Sequence, residues 1–221
     1  MDGSSAEQKV SFVEKVSDFE KNVFINCPFD DEYLVSKLRP LLFVVLWLGL
    51  NPRIALERFD SGEIRIQKIC NLINESKYSI HDLSRLQSRK KKEIFRLNMA
   101  FELGIDMGCR LFAENRKIFL VLEEEDYKIK KALSDFSGFD IKSHNNNPED
   151  VIRAVRDWFF QNGLKPKPGG YIWGRYNEFL SFLYEKIKDG IYNDKDIEKM
   201  QAPEFIILAK EWIIRHQENK S

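Results

Sequence analysis

The stretches YSIHDLSR (residues 78–85) and RLNMAFELG (residues 96–104), joined by a loop rich in lysine and arginine, decide how this chain is read. The first reads as a buried strand that ends in a carboxylate. The second reads as an apolar helix carrying one acid, Glu102, where an unpartnered carboxylate is expensive to bury. Together they bring Asp82, Ser84, Asn98 and Glu102 to one sheet edge, the set of polar groups that a nucleotide or sugar-base pocket needs.

Outward from this core the chain alternates strand and helix. Val23-Phe24-Ile25-Asn26 is a buried-strand run, and Cys27-Pro28-Phe29-Asp30-Asp31 marks a turn and the start of a helix over residues 32–48, closed by Gly49. A second strand is expected at 53–56. Asp60-Ser61-Gly62 then opens a helix whose apolar side is Ile64, Ile66, Ile69, Leu72 and Ile73. Further strands follow at 78–81, 117–122 and, short, at 139–141. Asn145-Asn146-Asn147-Pro148 introduces a helix with Val151, Ile152, Val155, Trp158 and Phe159 at helical spacing.

This order predicts a flavodoxin-like α/β fold over residues 21–164: a five-stranded parallel sheet with helices on both faces and ligand sites outside the carboxyl ends of the strands. Residues 1–20 read as a flexible N-terminal segment. Lys165-Pro166-Lys167-Pro168-Gly169-Gly170 reads as a linker into a C-terminal helical extension, residues 165–221. Its stripes Phe179, Phe182, Leu183, Ile187 and Phe205, Leu208, Ala209, Trp212, Ile213 either cap the core or bind another copy or a protein partner through residues 171–216.

The 221 residues, 43% of them apolar, suffice for one ordinary core. Thirty-five basic side chains balance 35 acidic ones, which argues against a nucleic-acid partner and leaves any polyanion site local. Cys27, Cys70 and Cys109 have no disulfide-framework spacing, the N-terminus lacks a signal-peptide pattern, and the apolar run 41–50 is too short to span a bilayer. A cytoplasmic protein without a membrane span, a metal motif or a bound cofactor is expected.

SIHDLSR, the basic loop and RLNMAFELGI resemble the strand-acid-helix pattern of nucleoside 2-deoxyribosyltransferase-like domains, a superfamily related in fold to the TIR domains that cleave NAD. VFINCPFDDEY and ALERFDSGEIRIQKI are also similar to bacterial nucleotide-binding-like proteins. The resemblance covers roughly residues 22–160. It implies that Glu102 is the catalytic carboxylate at the anomeric carbon, that Asp82 helps hold substrate, and that the ligand is NAD or a related nucleotide. A clear Asp-Pro-Gly-Thr approach to the helix is lacking, which favours hydrolysis or binding over base exchange. The implied activity is nucleotide N-glycoside hydrolysis in antiphage or stress defence, and the alternative is a non-catalytic nucleotide sensor that signals through its C-terminal helices.

The residues have their own logic. Cleaving an N-glycosidic bond passes through an oxocarbenium-like state that a nearby carboxylate stabilises. Glu102 fits that role; the competing reading is a helix salt bridge to Arg96 or Arg110. Asn98, one turn earlier, can orient the carboxylate or meet a ribose hydroxyl. Asp82 is either a substrate acceptor or a turn cap. Asn26 and Ser84 share its edge. His81 is a proton donor or a structural histidine, and His144 and His216 have no partner spacing. Asp60 and Ser61 offer a helix start to phosphate, with Arg58, Arg65 and Arg85 as the cations.

Overall fold

Strand β1 (Asn22–Asn26) is buried at every residue, the state its unbroken Val-Phe-Ile run requires. A computed structural model of the chain describes residues 18–57, 62–84, 97–112, 116–126 and 128–218. After β1 come α1 (Asp31–Tyr33), a π-helical turn at Leu34–Leu38 and α2 (Arg39–Trp47). Arg39 N–H closes the π turn on the carbonyl of Leu34. Pro40 has no N–H for the carbonyl four residues back, and widening the preceding turn relieves the clash of its ring there. Gly49, at φ 74°, ends the helix in the left-handed conformation that glycine adopts without strain.

β2 is Asn51–Ile54 and not 53–56: it begins earlier and includes Pro52, which pairs with Val23. β2 is an edge strand, where proline's missing N–H is tolerated. α3 (Arg65–Asn74) starts beyond the expected Asp60 cap, which with Arg58 and Ser61 lies outside the described residues. Its buried apolar residues are Ile69, Leu72 and Ile73, whereas Ile64 and Ile66 are exposed. β3 (Tyr78–Asp82), α4 (Asn98–Phe112), β4 (Ile118–Glu123) and the short α5 (Lys128–Ala132) follow. β5 is Lys142–Ser143, against the expected 139–141. Phe139 stacks on Phe119 at 5.9 Å, and pairing begins only where Lys142 meets Leu122. Then come α6 (Pro148–Gln161), α7 (Gly169–Lys188), α8 (Asp194–Glu198) and α9 (Ala202–Glu218).

The sheet is parallel throughout, in the order β2-β1-β3-β4-β5. This is the flavodoxin-like winding, and its topological switch point lies between β1 and β3. Strand residues alternate faces. Val23, Ile25, Tyr78, Ile80, Leu120 and Leu122 pack on one side with α2 and α6, and Phe24 and Val121 pack on the other with α3, α4 and α5.

The C-terminal helices share the first of these cores. α2 is buried from Arg39 to Leu46 because α6, α7 and α9 enclose the side turned away from the sheet. Phe43 stacks on Phe179 at 5.6 Å and meets Tyr176 at 5.3 Å and Trp212 at 6.1 Å. Arg39 reaches across and donates to the carbonyls of Ile197, Glu198 and Met200 at 2.6, 3.1 and 3.3 Å. Residues 171–216 therefore cap the core. No helix among the described residues is long and apolar enough to cross a membrane.

Because these aromatics join the extension to the sheet, Phe43→Ala is expected to cost about 3–5 kcal/mol and to leave a single unfolding transition in urea. Separate transitions for the sheet and the C-terminal helices would contradict this shared core.

Candidate functional site

The carboxyl ends of β1 and β3 are Asn26 and Asp82, so the switch point is flanked by buried polar side chains from both strands. Pairing aligns Asn26 with His81, and the alternation sends His81 and Asp82 to opposite faces of the sheet. Two separate polar networks result.

On the α2 side, the buried Asp82 accepts from Tyr33 at the end of α1 and from the Ser84 hydroxyl, and from the Ser84 backbone N–H at 2.9 Å. His144 completes the set: its Nε2 lies 3.1 Å from Asp82 and 2.9 Å from Ser84 Oγ. Asn145 and Asn146 both adopt positive φ, 47° and 57°, a conformation asparagine tolerates. Their turn brings the Asn146 N–H to 3.2 Å from His144 Nδ1. Nδ1 accepts, so the ring hydrogen sits on Nε2 and points at the carboxylate. Ser84, His144 and Asp82 are thus no nucleophilic triad, since the nitrogen facing the hydroxyl already carries the hydrogen. Burial pushes the Asp82 carboxyl up, but hydrogen bonding to His144, Ser84 and Tyr33 outweighs it and holds the group below the usual carboxylate range. Burial and the Asp82 charge push the Tyr33 phenol well up, which keeps it a donor.

On the opposite face, Asn26 donates to the Met99 carbonyl at 2.8 Å and to His81 Nδ1 at 3.0 Å. His81 Nε2 then faces Asp106 at 2.9 Å, and Asp106 pairs with Lys117 at 3.4 Å. Lys117 also donates to the carbonyls of Ile73, at 2.5 Å, and Ser76 at the end of α3, where a cation is favoured. His81 is therefore committed to the interior, with Asp106 and not Asp82 as its carboxylate. Burial pushes Asp106 up and Lys117 down; for Asp106, His81 and Lys117 reverse the effect and leave it below the ordinary range.

Glu102 sits one turn before Asp106 on α4 and is 5% exposed. Of the two arginines expected to pair with it, Arg96 lies outside the described residues and Arg110 covers the Phe119 ring at 5.4 Å. Among the described residues Glu102 pairs with Arg65, at the start of α3, 3.5 Å away with its side chain 57% exposed. Burial raises the Glu102 pKa, and Arg65 offsets part of the rise. Cys27, just past β1, is pushed well up by burial and by the charges of Asp82, Glu102 and Asp30, so it is a neutral thiol and not a nucleophile.

The structure therefore brings together Asn26, Asp82, Ser84, Glu102 and Arg65 around the ends of β1 and β3. Asn98 is exposed at the start of α4. Arg58, Asp60, Ser61 and Arg85 lie outside the described residues. Tyr33, Asp106, Lys117 and His144 were missed by sequence reasoning. Among them only His144 carried a signal, its place directly after the last strand. Among the described residues, no group of three or more His, Cys, Asp or Glu is placed to hold a metal ion. The fold and these networks define a doubly wound α/β protein with buried polar side chains at its switch point. The chain matches no family model, no curated protein and no solved structure.

Two stability measurements separate the acids. Tyr33→Phe removes a buried donor to a carboxylate and is expected to cost about 1.5–3 kcal/mol at neutral pH. The depressed Asp82 stabilises the fold above the ordinary carboxylate pKa and loses that contribution as pH falls through its lower folded value. The deficit of Tyr33→Phe in urea titrations should therefore narrow on acidification; a pH-independent deficit would show that Asp82 is not the group affected. Glu102 has the opposite sign. Its raised pKa favours the fold at low pH, and the benefit fades as pH rises through the folded value. Glu102→Gln is thus expected to raise the neutral-pH melting temperature by on the order of a few degrees and to change it little under acid conditions.

Proposed function

We propose that this chain hydrolyses the N-glycosidic bond of a nucleotide, NAD being the leading candidate, with Glu102 as the catalytic carboxylate. One observation carries the reading: a glutamate almost wholly removed from water, on the helix beside the switch point of the sheet, whose cationic partner Arg65 is itself largely exposed. A buried carboxylate that only packs the interior ordinarily acquires close donors, as Asp82 does. Glu102 instead has a raised pKa and a neighbour able to reach outward.

The chemistry suits that placement. As the bond from C1′ to the base nitrogen breaks, its electron pair leaves with the base, and water adds to C1′ while losing a proton. Positive charge builds on the sugar, and a poorly solvated carboxylate stabilises it more than a hydrated one does. Arg65 meets a phosphate from its exposed side. Asn98 stands at the head of α4 to contact the sugar. Asp82 works through Ser84 and Tyr33, which it holds at the switch point. The resemblance to deoxyribosyltransferase-like and TIR-like domains supports the same chemistry and an antiphage or stress role.

A second reading, a non-catalytic nucleotide sensor, is favoured by the run of chain from Tyr33, which touches Asp82, to Arg39, which holds the carbonyls around the end of α8. One helical segment links the switch point to the C-terminal helices.

Purified protein incubated with NAD, NADP, ATP and deoxynucleosides is expected to release free base, followed by chromatography, and Glu102→Gln to lose at least about 100-fold in rate. Equal release by both proteins removes Glu102 from the mechanism. No release, with a nucleotide-induced thermal shift, selects the sensor. For the enzyme the ionised carboxylate is the active form, so the rate rises with pH through the raised Glu102 pKa. Arg65→Met removes the charge that lowers that pKa and should move the acid limb to higher pH.

A further inference from the structure

Helix α4 is built inside out. Its buried face carries Met99, Glu102, Leu103 and Asp106. Besides Arg110, the large residues it leaves in water are apolar: Leu97, just before the helix, Phe101, Leu111 and Phe112 are 65%, 60%, 59% and 86% exposed. Leu97, Phe101, Gly104, Gly108 and Leu111 follow one another at alternating steps of four and three, the spacing of a seam between packed helices, and Phe112 flanks it. The charged residues of α4, Glu102, Asp106 and Arg110, all lie off this stripe. A helix facing water has the reverse arrangement.

Two further observations bear on what covers the stripe. Its four large side chains leave about 600 Å² of surface in the open, at the upper limit for a monomer's largest apolar patch and close to the roughly 800 Å² that each partner of a stable pair buries. Gly104 and Gly108, in mid-helix where glycine weakens the helix relative to alanine, are not required by the chain's own packing. A Cβ at Gly104 would meet nothing within 4 Å, and one at Gly108 would meet the Phe112 ring at 4.0 Å. Neither has positive φ. They serve close approach by another backbone.

We propose that the stripe is the contact with a second copy of this chain, two α4 helices crossing antiparallel about a two-fold axis with Gly104 of each copy against Gly108 of the other. The sequence is self-complementary in this sense. Gly104 and Gly108 lie equally far from position 106, and so do Phe101 and Leu111. A two-fold through that point sets Phe101 of each copy against Leu111 of the other, while the glycines let the backbones close between them. A partner of different sequence has no need of this symmetric placement. The contact is independent of the proposed reaction and its test uses no nucleotide.

The full chain is examined by sedimentation velocity from about 1 to about 100 µM, the range over which dimers of moderate affinity dissociate. The parent is expected to be dimeric at the upper end. Phe112→Glu and, separately, Gly104→Gln should sediment as monomers. Neither residue touches Glu102. Gly104→Gln adds a side chain into open space and a better helix former, so its melting temperature at concentrations where the parent is monomeric should not fall. A parent that remains monomeric throughout, or a dimer that survives both substitutions, overturns the proposal, whatever else then covers the stripe.

Discussion

The buried carboxylate of Asp82 is the constraint on which the arrangement of the switch point depends. A charge at the end of a central strand, removed from water, is tolerable only when donors converge on it. Those donors come from α1, from the chain just after β3 and from the turn after β5. Each is thereby held against the carboxyl end of the sheet. Tyr33 then fixes the start of the helical segment that runs through the π turn into α2, and α2 carries the aromatic contacts that seat α7 and α9.

The acids around this edge are sorted by what surrounds them. Asp82 and Asp106 are the more deeply buried, yet their pKa values fall because hydrogen-bonding partners outweigh desolvation. Glu102 has a less confined setting and one ion pair at 3.5 Å, and burial prevails. A carboxylate that burial holds above its usual pKa is one that a cationic ligand or a developing positive charge stabilises. That contrast, more than proximity to the switch point, distinguishes Glu102 from its neighbours.

The legibility of the chain followed the range of the interactions involved. β1, β3 and β4 could be read because a strand covered on both faces needs an apolar run, and the strand-helix alternation then leaves few topologies. β5 is only Lys142–Ser143, too short for any periodicity, and the aromatic residue that drew attention, Phe139, stacks on a neighbouring strand. Pro52 hid the start of β2, since proline disqualifies a central strand but not an edge. The partners of Glu102, Asp82 and Asp106 were not legible for a different reason. Arg65 with Glu102, His144 with Asp82 and His81 with Asp106 are joined only by the crossovers of the sheet. Sequence placed Asp82 and Glu102 at the edge; Asp106, and the cations and imidazoles that meet the three acids, required the packing.

Helix α4 brings these strands of argument together. A chain folding alone lowers its free energy by turning apolar residues inward and charges outward. α4 buries Met99 and Leu103 in that way, but it also carries Glu102 and Asp106 inside and Phe101, Leu111 and Phe112 outside. Asp106 recovers its cost through His81 and Lys117. Among the described residues Glu102 pairs with Arg65, a largely exposed arginine, and the apolar stripe faces water. Natural sequences depart from local consistency chiefly where function demands it. Under the proposed function and the proposed contact, the two faces of one helix serve two different needs, a carboxylate for a ligand on the inside and a surface for a second chain on the outside, and the helix between them keeps both in register with the end of β3.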